Sequence, residues 1–313
     1  MWPEVGNGGR FGVAVSGGPD SLALLLLAHA ALPGRVIAAT VDHGLRPEAA
    51  AEAALVAGVC AKLGVPHETM RVEVSVGNVQ AQAREARYIA LCRSFGTRGA
   101  EVFATAHHAD DQAETLLMRL NRGSGLGGLA GIRARRVVVG EDPLGEYLLV
   151  RPLLHWRRAE LADLVRAAGV EPAHDPSNDD LRFDRVQMRR ALAETPWLDP
   201  LALARSAEHL QDAEDAVESA VLDVRHRCIH RDGDSIWYHW GHPRLIEIEA
   251  VTSILAELGT DPPASAVAQL IDQLTTDRHA TLGGVMAKRA WHQRDTLTQI
   301  DAWRFEREPP RRT

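Results

Sequence analysis

The feature that most constrains the fold is a regular alternation of short apolar runs with longer helical patterns through the first third of the chain. The runs are apolar on both faces, and each is followed by a helical stretch long enough to cross back over a sheet. This pattern predicts a doubly wound, mostly parallel α/β sheet. Ligands of such sheets bind beyond the carboxyl ends of the strands, so the segments that follow the strands are the candidate sites. The predicted strands are Phe11–Val15, Arg35–Val41, Thr69–Val74 and Glu101–Ala106.

The chain is long enough for two domains, because its 313 residues exceed what one hydrophobic core usually supports. We predict a catalytic domain over residues 1–198 and a smaller, mainly helical domain over residues 199–303. A heptad-like stretch from Asp199 leads into the second domain, which reads as strand, helix, Pro262-Pro263, helix and two closing strands. Residues 304–313 are predicted to form a disordered tail.

Charge and cysteine content exclude several classes of protein. The 42 acidic residues outnumber the 35 basic ones, which argues against a protein that coats nucleic acid or anionic membranes indiscriminately. A local basic patch remains compatible with this balance. The three cysteines, Cys60, Cys92 and Cys228, are too widely spaced for a CxxC pair or a disulfide framework, and favour a reducing cytoplasm. No apolar stretch approaches the ~20 residues needed to span a bilayer.

The strongest local motif is SGGPDS, Ser16 to Ser21, between an apolar strand and an apolar helix. Gly17 and Gly18 permit close backbone approach, and Pro19 suits a first helical turn. The resulting helix start can bind an anion, although an ordinary strand-to-helix turn would use similar residues. Asp20 favours the anion site, because a carboxylate beside phosphates requires a bridging cation such as Mg²⁺. The segment lacks the GK[ST] ending of a Walker loop.

Two further segments follow predicted strands and carry titratable groups. Asp42 and His43 in VDHGLR either cap a turn or complete a nucleotide pocket. The segment from His107 to Glu114 places paired histidines at a strand end and carboxylates on one face of the next helix. Helix capping accounts for one or two of these carboxylates, and a zinc site lacks a third soft ligand. The predicted catalytic residues are Asp20, His107, Asp110, Asp111 and Glu114, with Asp20, Asp110 and Asp111 as metal ligands.

Arginines provide candidate contacts to phosphate or to a polynucleotide. Arg84 and Arg87 share one face of a predicted helix, where they bind an anion or form a solvated stripe with Glu85. Further arginines concentrate between residues 133 and 190 and would form a local basic surface, although about half of such arginines are ordinarily only solvated. The predicted contacts to substrate or to a polynucleotide are Arg84, Arg87, Arg122, Arg151, Arg182, Arg185 and Arg189.

Several motifs together resemble one family. The sequence contains, in order, SGGPDS, VDHGLR, AREARY, TAHHADDQAETLLMRLNRGSGLGGLAG, VRPLL and HDPSNDD. This set resembles the tRNA(Ile)-lysidine synthetases, which belong to the PP-loop or N-type ATP pyrophosphatases, from Ser16 to about Arg190. The most discriminating piece is HHxDDQxET followed by RGSGxxGLxG. One departure is Val186, which stands where the family typically has Asn between two arginines, here Arg185 and Arg189.

The resemblance implies ATP-dependent ligation of L-lysine to C2 of the wobble cytidine in a tRNA(Ile) with a CAU anticodon. It implies that the cytidine C2 oxygen attacks the α-phosphate of ATP, that pyrophosphate leaves, and that the lysine ε-amine then displaces AMP. ATP would bind across Ser16–Ser21 with Mg²⁺ at Asp20 and at Asp110 or Asp111. The C-terminal domain would bind tRNA, and the enzyme would be a cytoplasmic homodimer.

Two other functions fit parts of the pattern. A PP-loop tRNA thiolase would share the fold but needs paired cysteines or a persulfide-carrying cysteine near the site, and the spacing of the three cysteines offers no pair. A non-catalytic, nucleotide-dependent RNA-binding protein would keep the glycine-rich segment but would not require the carboxylates.

Overall fold

The computed structural model describes residues 8–42, 49–72, 79–140, 145–173, 182, 184–276, 279–293 and 298–308, with only the backbone of 79–84. The chain forms two compact units, Met1–Gln211 and Asp212–Thr313. The boundary therefore lies 13 residues beyond the predicted position at residue 198. No helix in the described ranges is both long enough and apolar enough to cross a bilayer.

The N-terminal unit is built on a six-stranded sheet with the strand order β3-β2-β1-β4-β6-β5. All neighbours pair in parallel except β5 and β6, which form an antiparallel hairpin at one edge. This arrangement confirms the predicted fold class. From β1, the chain first adds β2 and β3 on one side of the sheet and then adds β4 on the other side, so the direction of winding changes between β1 and β4. Ligands of open α/β sheets bind at such a switch point. The strands are β1 Phe11–Ala14, β2 Val36–Asp42, β3 His67–Arg71, β4 Val102–Ala104, β5 Arg135–Val139 and β6 Glu146–Val150.

Helices cover both faces of this sheet because its strands carry apolar side chains on both sides. Phe11 and Val13 of β1 pack on one face against the apolar helix that starts at Pro19. Ile37 and Phe103 pack on the other face against Phe95. The first eight helices of the chain, of which α8 continues past Gln211, are α1 Pro19–Ala31, α2 Ala49–Leu63, α3 Val79–Thr97, α4 Ala109–Asn121, α5 Leu126–Leu129, α6 Arg158–Ala167, α7 Asp184–Ala193 and α8 Pro200–Cys228.

The C-terminal unit combines helices with a five-stranded antiparallel sheet of order β7-β8-β11-β10-β9. Ile254 and Leu270 pack with Tyr238, Trp303 and Phe305 in one core. Two strands precede the two helices and three follow them, where one strand and two closing strands were predicted. The antiparallel sheet organises this domain, which corrects the mainly helical description. Its elements after α8 are β7 Ile229–Asp232, β8 Ser235–Tyr238, α9 Arg244–Glu257, α10 Ala264–Thr276, β9 His279–Leu282, β10 Val285–Gln293 and β11 Gln299–Arg307.

The predicted disordered tail begins too early. Residues 304–307 belong to β11 and pair with β10. Phe305 is fully buried in the C-terminal core, and its burial explains why the strand continues past Trp303. Of the remaining predicted tail, residues 309–313 lie outside the described residues.

Candidate active site

A cleft of about 560 Å³ opens at the carboxyl ends of β1, β2 and β4. Its position is the one expected for the ligand site of a doubly wound sheet. Side chains from α1, α3, α4, α6 and α7 complete its walls. The predicted site residues that line it are Ser16, Asp20, Ser21, Asp42, Arg87, His107, Asp111, Arg185 and Arg189.

The segment Ser16–Ser21 forms a tight turn into α1. Gly17 has φ +93°, a conformation that favours glycine, and its carbonyl accepts the Ala173 N–H at 2.9 Å. The Ser21 hydroxyl donates to the Gly18 carbonyl at 3.0 Å and accepts the Ser16 N–H at 3.1 Å. Gly18 is the N-cap of α1 and has no side chain to cap it. The N–H groups of the first turn therefore remain open to an anion.

Asp20 lies at this helix start, and one of its carboxylate oxygens is buried without a hydrogen-bond donor among the described residues. Oδ1 is buried and has no hydrogen-bond partner among the described residues, while Oδ2 lies 3.4 Å from Nε2 of His108. A buried carboxylate oxygen of this kind is costly unless a cation or donor meets it. The described residues contain no group of three or more metal-ligating side chains. Mg²⁺ is commonly held by one or two carboxylates together with substrate phosphates, so Asp20 beside an anion site fits such an ion.

The paired histidines have different environments. His107 lines the cleft, and its Nδ1 makes a 3.0 Å hydrogen bond with the Thr105 hydroxyl. His108 is fully buried and is the N-cap of α4. Its Nδ1 accepts the Asp111 N–H at 3.4 Å, and the Asp111 carboxylate accepts the His108 N–H at 3.0 Å. His108 and Asp111 thus form a reciprocal capping box at the start of α4, which accounts for the second histidine of the pair.

Asp110 is a helix cap rather than part of the cleft wall. Its Oδ2 accepts the backbone N–H of Arg158 at 2.8 Å, at the start of α6, and its oxygens lie 3.4 Å from the Arg157 guanidinium. Burial raises the pKa of Asp110, but the Arg158 N–H and the Arg157 charge outweigh it and hold the pKa below its ordinary value. Asp110, which was predicted to be a metal ligand, is thus hydrogen-bonded within the chain, and these bonds connect α4 to α6.

Asp111 and Glu114 are met by three guanidinium groups, which we call the arginine clamp: Arg158, Arg185 and Arg189. Arg185 donates to Glu114 at 2.8 Å and to Asp111 at 2.9 Å. Arg189 donates to Glu114 at 2.9 Å, and Arg158 reaches Glu114 at 3.4 Å. Burial lowers the pKa of Arg185, but Asp111 and Glu114 outweigh it and raise the pKa above its usual range. The clamp joins α4, α6 and α7 around one buried carboxylate.

The other predicted arginines are dispersed. Arg87 lines the cleft, whereas Arg122 is exposed and pairs with Asp184 of α7. Arg182 is exposed, and it lies outside the cleft lining. Arg151 was expected to contact tRNA, but it is only 4% exposed and donates to the Arg133 carbonyl, so burial prevents that role. His43 and the side chain of Arg84 lie outside the described residues.

Sequence reasoning missed two residues that shape this site. Arg158 of the clamp comes from the helix after VRPLL, whereas the sequence pointed to Arg151 within that motif as the candidate contact. Gln112 is buried and holds the backbone of Ile132 through bonds of 2.8 and 2.7 Å. Gly131 beside it has φ +72°, and a Cβ there would lie 2.5 Å from the Gln112 Oε1. Gln112 thus docks the glycine-rich segment onto α4.

The fold and the loop after β1 define the class of protein. A family model described as a PP-loop domain matches residues 5–195. Among solved structures, the chain is similar in fold to the U34-tRNA thiolase NcsA from Methanococcus maripaludis, with a TM-score of 0.53 and 16% identity. The similarity covers 65% of this chain and 73% of the thiolase.

Sequence relatives define the family more closely. The tRNA(Ile)-lysidine synthase of Novosphingobium aromaticivorans is 44% identical over 100% of this chain and 93% of the relative. The protein of the same name from Zymomonas mobilis is 39% identical over 97% of this chain and 90% of the relative. The chain belongs to the tRNA(Ile)-lysidine synthase family.

Proposed function

We propose that this protein ligates L-lysine to C2 of the wobble cytidine of tRNA(Ile) with a CAU anticodon, using ATP and releasing pyrophosphate and AMP. The observation that carries the proposal is one cleft lined both by an open helix start with Asp20 and by Asp111 with the three arginines of the clamp. The ligation needs such a site, because it must bind phosphates and a cationic amine close together. Family membership supports the same reaction.

The phosphate-binding part of the site is the turn Ser16–Ser21. Its open N–H groups and the positive end of α1 favour phosphate oxygens. Asp20 would hold Mg²⁺, which when bound supplies charge neutralisation on the phosphates. Arg185 and Arg189 line the same cleft, where guanidinium groups can stabilise the charge that develops as pyrophosphate leaves.

The amine-binding part of the site is assigned to Asp111 and Glu114. Glu114 is buried, so an ammonium group that reached it would be held in a low-dielectric place. His107 lines the same cleft and would accept the proton that the amine must lose before it attacks C2. His108 acts at a distance by fixing the start of α4 and the orientation of Asp111.

The wider environment of the site also belongs to the proposal. Exposed arginines near α7, such as Arg122 and Arg182, would meet the anticodon arm, and the C-terminal unit would bind the rest of the tRNA. The proposal places the protein in the cytoplasm, where tRNA, ATP and free lysine are found together. It also includes a homodimer, which the resemblance to the family implies.

The thiolase alternative is disfavoured by the cysteines. Cys60 and Cys92 are fully buried in two different hydrophobic clusters, one on each face of the sheet. Burial raises the pKa of each thiol to about 11, so neither is a ready nucleophile or metal ligand near neutral pH. Cys228 belongs to the C-terminal unit.

The proposal is tested with purified protein, ATP, Mg²⁺, radiolabelled lysine and tRNA transcripts. We expect label in the tRNA(Ile) with a CAU anticodon, and none in a transcript whose wobble cytidine is changed to uridine. Binding of tRNA without lysine incorporation would favour the non-catalytic RNA-binding alternative and overturn the proposal.

A further inference from the structure

The acceptor oxygens assigned to the substrate amine are filled by the chain itself. Glu114 accepts from all three guanidinium groups of the arginine clamp, and Asp111 accepts from Arg185. A guanidinium and an alkylammonium ion are both cationic N–H donors and use the same carboxylate oxygens. The clamp therefore stands where a substrate amine would bind, and an amine can enter only by exchange.

The two sides of these ion pairs differ in freedom to move. The Glu114 side chain is 1% exposed, whereas the side chains of Arg185, Arg189 and Arg158 are 42, 32 and 28% exposed. The carboxylate is fixed by its surroundings, and the long arginine side chains reach it from the cleft wall. Arg158 makes the longest contacts, 3.4 Å to Glu114 and 3.9 Å to Asp111. The arginines are thus the partners that can change position.

A phosphate ligand in the same cleft would compete for these guanidinium groups. The clamp arginines and the Ser16–Ser21 turn line one continuous cleft. Triphosphate oxygens carry more negative charge than a single carboxylate and can accept two parallel N–H bonds from an arginine. A guanidinium that turns toward phosphate gives up an acceptor oxygen on Asp111 or Glu114. The carboxylate it leaves is then costly to keep unpaired, which favours a new cation.

We propose that the arginine clamp is a set of exchangeable counter-ions that makes amine binding depend on nucleotide binding. Nucleotide phosphates draw Arg185 and Arg189 away from Asp111 and Glu114, and the lysine ε-ammonium takes their place. The inference rests on the proposed function and adds an order of binding to it. Because coupling between two sites is reciprocal, lysine must strengthen nucleotide binding by the same factor.

Equilibrium dialysis of radiolabelled L-lysine against the full chain tests the inference. With Mg²⁺ and the non-hydrolysable analogue α,β-methylene-ATP, we expect lysine affinity to rise by about tenfold or more, within the usual range of coupling between sites. Arg185→Gln should bind lysine several-fold more tightly than wild type without the analogue, and its coupling should fall below about threefold. Arg190→Gln, on the same helix, should behave as wild type.

A gain of lysine affinity separates exchange from general damage, because a misfolded variant loses affinity for both ligands. Arg189→Gln provides a second test should Arg185→Gln fail to fold. Equal lysine affinity with and without the analogue, or loss of lysine affinity in both arginine variants, would overturn the inference. Lysine incorporation into tRNA in that case would leave the proposed function standing. A protein that neither binds nor incorporates lysine would lose both.

Discussion

The two walls of the cleft differ in whether their buried carboxylate oxygens are paired with donors from the chain. On the wall formed by Ser16–Ser21, the helix start is uncapped by a side chain and Asp20 keeps one buried oxygen that no described residue meets. On the wall formed by α4, α6 and α7, the buried Glu114 is met by three arginines. The first wall can therefore accept a ligand by addition, whereas the second can accept one only by exchange.

The largest expected effect comes from Asp20→Asn, which removes charge from the first wall without changing side-chain size. We expect lysine incorporation into tRNA to fall by about 10²-fold or more, the usual result of deleting a group that stabilises charge in the reaction. The free energy of unfolding should change by less than about 1 kcal/mol, since Oδ1 makes no hydrogen bond that would be lost. Single-turnover kinetics and urea denaturation measure the two quantities.

Asp163→Asn is the control for this variant, because Asp163 is exposed and pairs with Arg166 within α6. Asp163→Asn should leave both the incorporation rate and the unfolding free energy near their wild-type values. An Asp20→Asn enzyme that retains at least half of the wild-type rate would show that the first wall does not serve as proposed.

The second effect, on stability, comes from Glu114→Gln. Removing the buried charge leaves Arg158, Arg185 and Arg189 without their common counter-ion, and breaking a buried pair of this kind costs about 3 kcal/mol. Urea denaturation should show this loss. Asp184→Asn, which removes the exposed pair with Arg122, should cost less than about 0.5 kcal/mol. Similar losses in the two variants would mean that the second wall is not held by its ion pairs.

The smallest expected effect is a dependence of the free energy of unfolding on pH, and it arises from Asp110 in the first turn of α4. The native pKa of Asp110 is lowered, since the Arg158 N–H and the Arg157 charge outweigh burial. The native state therefore favours the ionised form, and this stabilisation is present above the unfolded pKa of about 4 and is lost as pH falls through the lower native value. Asp110→Asn should be less stable than wild type by about 1 kcal/mol at roughly pH 6.

Denaturation curves over a range of acidic pH values check this sign. The difference between wild type and Asp110→Asn should begin to shrink as pH falls below about 4 and should be smallest below the native pKa of Asp110, where both side chains are uncharged. A difference that stays constant with pH would show that the Asp110 contacts do not depend on its charge.

Sequence patterns predicted those parts of the molecule whose structure is determined by residues close together in the chain. Alternating apolar and helical segments predicted the parallel sheet, and the strand ends correctly located Ser16, Asp42 and His107 at one edge. The Gly-rich turn after β1 also followed from local residues, because the positive φ of Gly17 is a backbone requirement. These features arise from neighbours in the chain and can be found without knowing which helices meet.

The roles within the carboxylate cluster could not be assigned in this way. Asp110, Asp111 and Glu114 are equivalent in the sequence, but Asp110 meets the start of α6 while Glu114 meets side chains of α7, more than 70 residues further along. Arg151 and Arg158 differ in the same sense: the first is buried and donates to the Arg133 carbonyl, and the second lines the cleft. Such roles depend on long-range packing, for which the sequence has no local periodic signal.

One contact of α8 has a practical consequence for dividing the protein into fragments. Gln211 donates to the Ala130 and Ile132 carbonyls at 2.6 and 3.2 Å, on the same turn that Gln112 holds from α4. Ala207, one helical turn earlier, is fully buried. A catalytic fragment ending near residue 198 would expose this turn and lose both supports from α8. A fragment for crystallography or NMR should therefore end beyond Gln211, inside a helix that continues to Cys228.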